Sequence, residues 1–191
     1  MSELFSIQLQ NRQQQGRDGV WLDLPTTTEQ VQAALRQIGI SSDNPQGLFI
    51  SGYFAEEEKR FAIPYNMVLA SNVDELNFLA ARLETLSAGE RAELNAALQA
   101  PQSELSSIGK ITDFPENVDY YVHLPEVHGH AQLGDYYLNR SGMVDMPEEW
   151  KGGIDTAQFG RYVAQQEQGA FTQYGYLVKS GDEWQKVHEG Q

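Results

Sequence analysis

The sequence contains no cysteine and few basic residues. The absence of cysteine excludes disulfides, thiolate nucleophiles and cysteine-ligated zinc. Only 13 lysines and arginines stand against 27 aspartates and glutamates in 191 residues, which gives a formal charge of −14. A charge of this sign and size repels nucleic acid and anionic membranes, and it favours basic protein partners. We therefore expect no direct binding to nucleic acid or to a membrane.

Long apolar runs and the common catalytic motifs are also missing. No apolar stretch approaches the roughly 18 residues that a membrane-spanning helix needs. Residues 1–10 contain no basic region followed by an apolar run, so we expect no signal peptide and a cytoplasmic protein. Neither glycine-rich phosphate-binding motif occurs, nor does the Gly-x-Ser-x-Gly motif of hydrolases. The motifs thus indicate neither an enzyme nor a cofactor.

The acidic residues that are present concentrate in the middle of the chain. Residues 51–100 hold 4 bases and 8 acids, and residues 101–150 hold 2 bases and 9 acids, so that these two segments carry −4 and −7. The remaining segments, residues 1–50 and 151–191, carry only −2 and −1. We expect any surface for a basic partner to lie in the middle of the chain. Glu56, Glu57 and Glu58 fall in this segment, but we interpret them as a solvated loop.

The first part of the chain predicts three strands and one helix. Residues 5–9 alternate between apolar and polar, as in a half-buried strand, and residues 20–24 and 47–54 are also typical of strands. Thr26, paired with a glutamate three residues later, or Thr28 alone, predicts the start of the helix.

The next part predicts two helices joined by a turn. Asn72 is a favourable helix cap, and the acidic residues that follow it suit the first turn of a helix. Apolar residues recur at helical spacing over residues 76–86. Ser87 and Glu90 form a capping-box pattern for the second helix, which Pro101 ends. These two helices predict an antiparallel helical hairpin.

The last part mixes strands and helices. Residues 118–124 predict a strand and residues 133–140 a helix, and Asp155 predicts the cap of a further helix. Residues 170–178 and 183–187 predict two strands joined by a Ser-Gly-Asp turn. Together these patterns indicate the α+β class. We predict three small domains in an elongated chain, at residues 1–64, 65–109 and 110–191.

Histidines offer the strongest chemical alternative. His128 and His130 are separated by one glycine, and His123, Glu126 and Asp135 lie near them in sequence. Imidazole nitrogens and carboxylate oxygens are ligands for zinc and similar metals. A metal-dependent hydrolase therefore remains an alternative function, and calorimetric titration with zinc separates it from a binding protein.

A series of short motifs between residues 4 and 178 is more informative through its order and spacing. The motifs are Trp21-Leu22-Asp23-Leu24-Pro25, Asn72-Val73-Asp74-Glu75-Leu76-Asn77, Gly134-Asp135-Tyr136-Tyr137, Gly142-Met143, Met146-Pro147-Glu148, Ile154-Asp155, Phe159-Gly160-Arg161, Gly169-Ala170-Phe171-Thr172 and Gly175-Tyr176. In this arrangement the chain resembles the ArdA family of antirestriction proteins, which plasmids and conjugative transposons carry.

The resemblance implies a DNA mimic that performs no chemistry and needs no cofactor. Such a protein forms a homodimer through its C-terminal part, and its carboxylates occupy the DNA-binding groove of type I restriction–modification enzymes. A mimic of DNA for another basic DNA-binding protein, such as a repressor or a nucleoid protein, is a further alternative. The carboxylates that we expect to form the mimic surface are Asp74, Glu75, Glu84, Glu90, Glu93, Asp113, Glu116, Asp119, Glu126, Asp135, Asp145, Glu148 and Glu149.

Overall fold

The protein folds into two small sheets and a set of short helices. The computed structural model describes residues 3–14, 18–41, 45–101 and 103–188. Within these ranges the chain forms two three-stranded antiparallel sheets and eight α-helices, which confirms the α+β class. The strands are β1 (Phe5–Asn11), β2 (Val20–Leu24), β3 (Leu48–Phe54), β4 (Tyr121–Leu124), β5 (Ala170–Thr172) and β6 (Gly175–Lys179).

The helices of the described ranges are all short. None of them is long and apolar enough to cross a membrane. They are α1 (Thr28–Gln37), α2 (Tyr65–Leu69), α3 (Val73–Glu84), α4 (Ala88–Gln99), α5 (Ile108–Thr112), α6 (His130–Asp135), α7 (Glu148–Lys151) and α8 (Thr156–Glu167).

The chain divides into two compact units, each built from separate stretches of sequence. Unit 1 consists of Met1–Ser87, Leu105–Pro115 and Lys186–Gln191, and unit 2 consists of Ala88–Glu104 and Glu116–Gln185. Helices α3 and α4, which the sequence predicts as one hairpin, therefore belong to different units. The division into three domains stays a prediction.

The sheet of unit 1 contains the three strands that the sequence predicts. Their order is β2-β1-β3. Ile7 and Leu9 on the central strand are fully buried, as expected from their alternation with polar residues. Helix α1 packs against β2 and buries Val31 and Ala34. The hydrophobic core of this sheet therefore lies on the face that α1 covers.

The cap of α1 differs by one residue from the predicted one. Thr27 is the cap, in an extended conformation, and its hydroxyl accepts a hydrogen bond from the backbone N–H of Gln30. The Gln30 side chain reaches back to the Thr27 backbone N–H and completes a capping box. The predicted caps Thr26 and Thr28 are wrong because glutamine takes the role that the sequence pattern assigned to glutamate.

Helix α3 forms as its sequence predicts. The Asn72 side chain accepts a hydrogen bond of 2.9 Å from the Glu75 backbone N–H, so the first turn is capped. The helix packs against α5 and β2. The side chains that it buries completely share one face and are Leu76, Leu79, Ala80 and Leu83.

The sheet of unit 2 has the order β4-β6-β5, and α4 packs against β4 and β6. Strands β5 and β6 form a tight hairpin in which Thr172 organises the turn. The Thr172 hydroxyl accepts from the Tyr174 N–H at 3.1 Å and donates to the Gly175 carbonyl at 2.9 Å. The predicted strand at residues 183–187 is wrong, since these residues pair with no strand of the described chain.

Helices α6 and α8 touch each other through two glycines. A Cβ atom added to Gly134 would lie 1.9 Å from the Thr156 carbonyl oxygen, and one added to Gly160 would lie 1.8 Å from the His130 carbonyl oxygen. Asp155 caps α8, as predicted, by accepting from two backbone N–H groups at 2.9 and 3.0 Å. The two helices can approach this closely only because neither carries a side chain at the crossing.

The far end of α8 is tied to the sheet by one carboxylate. Tyr137 donates a hydrogen bond of 2.5 Å to Glu167 Oε1, and Tyr176 donates one of 3.0 Å to Oε2. Burial raises the pKa of both tyrosines, and the charge of Glu167 raises them further. The two phenols therefore stay protonated and act only as donors to this carboxylate.

We expect Gly160→Ala to lower the free energy of unfolding by at least about 2 kcal/mol, because the methyl group must push α8 away from the α6 backbone. Urea denaturation measures this effect. The matched control is Gly152→Ala: Gly152 has a φ of −64° and an added Cβ would meet nothing within 4 Å. Equal stability of the two variants would show that the close helix crossing is not needed.

Candidate partner-binding surface

The predicted surface carboxylates differ widely in their exposure. Seven are exposed: Asp74, Glu116, Asp119, Glu126, Asp145, Glu148 and Glu149. Five are half-buried: Glu75, Glu84, Glu90, Glu93 and Asp135. The remaining carboxylate is that of Asp113, which is buried. Most of the predicted set is thus accessible to a partner.

Asp113 does not belong to a surface. Its side chain is 2% exposed. Its Oδ1 atom accepts hydrogen bonds from the backbone N–H of His188 at 2.9 Å and lies 2.8 Å from the His188 ring Nδ1. The prediction for Asp113 is therefore corrected, because this carboxylate fixes a distant part of the chain inside unit 1. A buried carboxylate with hydrogen-bond partners is a structural group.

Some of the accessible carboxylates already have a partner. Arg140 lies 3.2 Å from Asp135, and Lys151 lies 2.6 Å from Glu148. The Ser71 hydroxyl donates to Glu75 at 2.5 Å. The two cations cancel part of the negative charge at Asp135 and Glu148, whereas the neutral Ser71 hydroxyl brings no opposite charge to Glu75.

Two of the predicted carboxylates line a cleft in unit 2. Glu116 and Asp119 line this cleft together with Asp182 and Glu183. The side chains of Asn117, Tyr120, Trp184 and Gln185 complete the lining of this acidic cleft, whose volume is about 370 Å³. Four carboxylates beside two aromatic rings suit the binding of a cationic side chain.

Asp182 and Glu183 also line the cleft, although they are not among the predicted carboxylates. They follow a turn in which the Ser180 backbone N–H donates to the Tyr120 carbonyl at 2.9 Å. This hydrogen bond places residues 182 and 183 beside the segment that contains Asp119. A strand was expected at residues 183–187, and that expectation concealed their role in the acidic cleft.

Glu93 lies near two other acidic residues, Glu90 and Asp119, whose negative charges act on its carboxyl. Burial, together with these two negative charges, raises the pKa of the Glu93 carboxyl to about 7. Its Oε1 atom is buried and has no hydrogen-bond partner among the described residues. Glu93 is therefore partly protonated near neutral pH, and it contributes less than a full charge to the surface.

The histidines do not assemble into a metal centre in the described part of the chain, where no group of three metal-ligating side chains lies together. The His130 ring packs edge-to-face on Phe171 at 4.9 Å between centroids. His123 Nε2 lies 2.7 Å from the Tyr174 carbonyl oxygen, whereas His128 is exposed. The structure thus offers no support for the hydrolase alternative.

The two units share the charge unequally. Unit 2 contains 14 acidic and 5 basic side chains, a formal charge of −9, and unit 1 contains 13 acidic and 8 basic side chains, a formal charge of −5. Unit 2 is nevertheless the smaller of the two. The acidic cleft and most of the predicted carboxylates lie in the unit with the higher charge density.

Comparison with known families agrees with the motifs in the sequence. A family model described as antirestriction protein (ArdA) matches residues 15–178. The chain belongs to the ArdA family of antirestriction proteins. No curated protein matches the chain. Membership of the ArdA family supports an antirestriction function and an interaction with restriction–modification enzymes, and the family is not one of known enzymes.

Several of the ArdA-like motif residues have structural roles in unit 2. Gly134 and Gly160 form the helix crossing, Tyr137 and Tyr176 bind Glu167, and Asp155 caps α8. Residues 182–185 lie beyond the part of the chain that the ArdA model matches. Hence several motif residues serve the packing of unit 2, whereas Asp182 and Glu183 lie outside the matched range.

We expect Glu93→Gln to change how stability depends on pH. The folded-state pKa of Glu93, about 7, exceeds the ordinary pKa of 4.5 for a glutamate, so the folded state of the wild type binds the proton more tightly. The free energy of unfolding of the wild type therefore falls as pH rises from about 4.5 to about 7, and it stays lower above that range.

The variant cannot ionise at this position, so its advantage over the wild type grows between about pH 4.5 and about pH 7 and is complete above that range. We expect it to be of the order of 1 kcal/mol, since the side chain keeps contact with solvent. Urea denaturation at several pH values measures the difference. Glu126→Gln, which removes one exposed carboxylate from the same unit, is the control for lost charge. A constant difference between Glu93→Gln and wild type across this pH range would contradict the argument.

Proposed function

We propose that this protein protects incoming mobile DNA by occupying the DNA-binding groove of a type I restriction–modification enzyme. The observation that carries the proposal is the formal charge of −9 on unit 2, which displays exposed carboxylates and an acidic cleft. Membership of the ArdA family supports the antirestriction outcome. The proposed target acts on DNA inside the cell, so the proposal places the protein in the cytoplasm.

The net charge of the protein can be expressed as the length of duplex DNA that carries the same charge. Duplex DNA carries about one negative charge per 1.7 Å of helix axis, so a charge of −14 corresponds to roughly 24 Å of duplex at full density. A homodimer would carry −28, which corresponds to roughly 48 Å. A groove that binds DNA phosphates through lysine and arginine can therefore be filled electrostatically by a protein of this charge.

Carboxylates act on such a groove mainly through long-range attraction. Opposite potentials accelerate association, and added salt screens them over about 8–10 Å at physiological ionic strength. Inhibition by this route requires no bond-making step and no cofactor. It also has no single essential residue, because each exposed charge contributes only a fraction of the binding free energy.

The proposal includes a homodimer that forms through the C-terminal part of the chain. Residues 110–191 expose large apolar side chains, including Met143 at 75%, Trp150 at 66% and Tyr162 at 59%. Exposed apolar side chains of this size are favourable in an interface between subunits. Sedimentation velocity decides the point: Trp150→Ala should shift the protein toward monomer, and an unchanged dimer would remove Trp150 from the interface.

We expect neutralisation of several carboxylates to weaken inhibition when single changes do not. Each exposed charge contributes roughly 0.5 kcal/mol, so the triple variant Glu90→Gln, Glu116→Gln and Asp119→Asn should raise the inhibitory concentration about tenfold. Each single variant should change it less than about threefold. Cleavage of plasmid DNA by a purified type I restriction enzyme measures inhibition.

The matched control removes the same number of charges from unit 1, through Glu56→Gln, Glu57→Gln and Glu58→Gln. These three side chains are exposed on a short 3-10 helix and the loop before it, and Glu56 pairs with Lys59 at 3.1 Å. This control should inhibit nearly as well as the wild type. If one exposed single substitution abolished inhibition in a folded protein, the model of distributed charge would be wrong.

A further inference from the structure

Part of the lining of the acidic cleft comes from residues 182–185, which we call the outer segment and which have no regular secondary structure. Residues 182–185 belong to neither a helix nor a strand, yet Asp182 and Glu183 line the same cleft as Glu116 and Asp119. No backbone ladder fixes this segment. Its position must therefore depend on side chains elsewhere in unit 2.

Asn117 supplies the strongest of these contacts. Its side chain is 4% exposed. Its Oδ1 atom accepts a hydrogen bond of 2.7 Å from the Gln185 backbone N–H, and its Nδ2 donates one of 2.9 Å to the Gln185 carbonyl. The amide thus pairs with both backbone groups of one residue, as a neighbouring strand would. A buried amide that uses a donor and an acceptor on one backbone residue holds that residue in a single position.

Two other contacts support the same placement. The Trp184 ring packs edge-to-face on Tyr120 at 5.2 Å between centroids. The Ser180 backbone N–H and hydroxyl both bind the Tyr120 carbonyl oxygen, at 2.9 and 3.1 Å. Residues 117–120 therefore contact Trp184 and Gln185 of the outer segment and also Ser180, which precedes it.

We propose that Asn117 is a positioning residue for partner binding, which holds Asp182 and Glu183 in the same cleft as Glu116 and Asp119 so that all four carboxylates act on one basic partner surface. The inference rests on the proposed function. The inference also extends the proposed function, because residues 182–185 lie outside the range that the ArdA family model matches. The partner groups that fit are arginine or lysine side chains, which carboxylates and aromatic rings bind together.

A double-mutant cycle tests this role. The first change is Asn117→Ala, the second is Asp182→Asn with Glu183→Gln, and the third protein combines them. Binding to decalysine in low salt and to a purified type I methyltransferase core is measured by calorimetry. We expect each of the first two proteins to bind about threefold to tenfold more weakly than wild type, and the combined protein to lose nothing further.

A control variant with two other carboxylates neutralised separates the loss of positioning from a general loss of structure. Glu148→Gln with Glu149→Gln also removes two exposed carboxylates from unit 2, but α7 carries them away from the cleft lining. In that background Asn117→Ala should weaken binding by its full factor. If Asn117→Ala prevents folding, as circular dichroism would show, Gln185→Pro replaces it in the cycle. Proline removes the N–H that binds Asn117 Oδ1 and restricts the local backbone, while the buried Asn117 side chain stays in place.

Three results would overturn the inference: additive losses in the cycle, no loss from either positioning variant, or no binding of wild type to decalysine at low salt. The proposed function fails separately. If wild type binds decalysine but not the methyltransferase core, the target is wrong, while the cycle with decalysine still decides the role of Asn117.

Discussion

The backbone contact between α6 and α8 determines how unit 2 is assembled. Gly134 and Gly160 let the two helices approach until an added Cβ would overlap a carbonyl oxygen of the other helix. Once α8 lies there, Glu167 at its end reaches both Tyr137 and Tyr176, which joins the helices to the sheet. The apolar core of Val127, Leu133, Ala164 and Tyr176 closes around this arrangement. A unit of this size then presents its acidic side chains on a rigid support.

An excess of acidic side chains destabilises a folded unit, because their negative charges repel one another. Some carboxylates serve the fold: Asp155 caps a helix, Glu167 accepts from two phenols, and Glu104 lies 2.8 Å from Lys179. The others remain in solvent, where their repulsion is screened. Glu93 belongs to neither group. Burial beside two further acids raises its pKa and keeps it partly protonated near neutral pH. The same crowding gives the surface its attraction for a basic groove.

Local patterns in the sequence predict local structure well. The alternation around Ile7 and Leu9 and the caps at Asn72 and Asp155 depend on neighbours within a few residues, and the structure contains all of them. Apart from the cap of α1, which lies one residue from the predicted positions, the errors involve partners far along the chain. Asp113 is buried because it binds His188, and residues 183–187 form no strand, while Asn117 holds the backbone of one of them, Gln185. No periodicity in the sequence reports such long-range contacts, so the outer segment of the acidic cleft was not predictable.

The central claim is that this acidic surface takes the place of DNA on its target. Competition between the protein and labelled DNA for a purified type I methyltransferase core, followed by fluorescence anisotropy over a range of salt concentrations, tests it most directly. The account predicts that the protein displaces the DNA completely, with an affinity that falls steeply as salt increases. Inhibition of cleavage while the DNA stays bound, or displacement that is insensitive to salt, would contradict it.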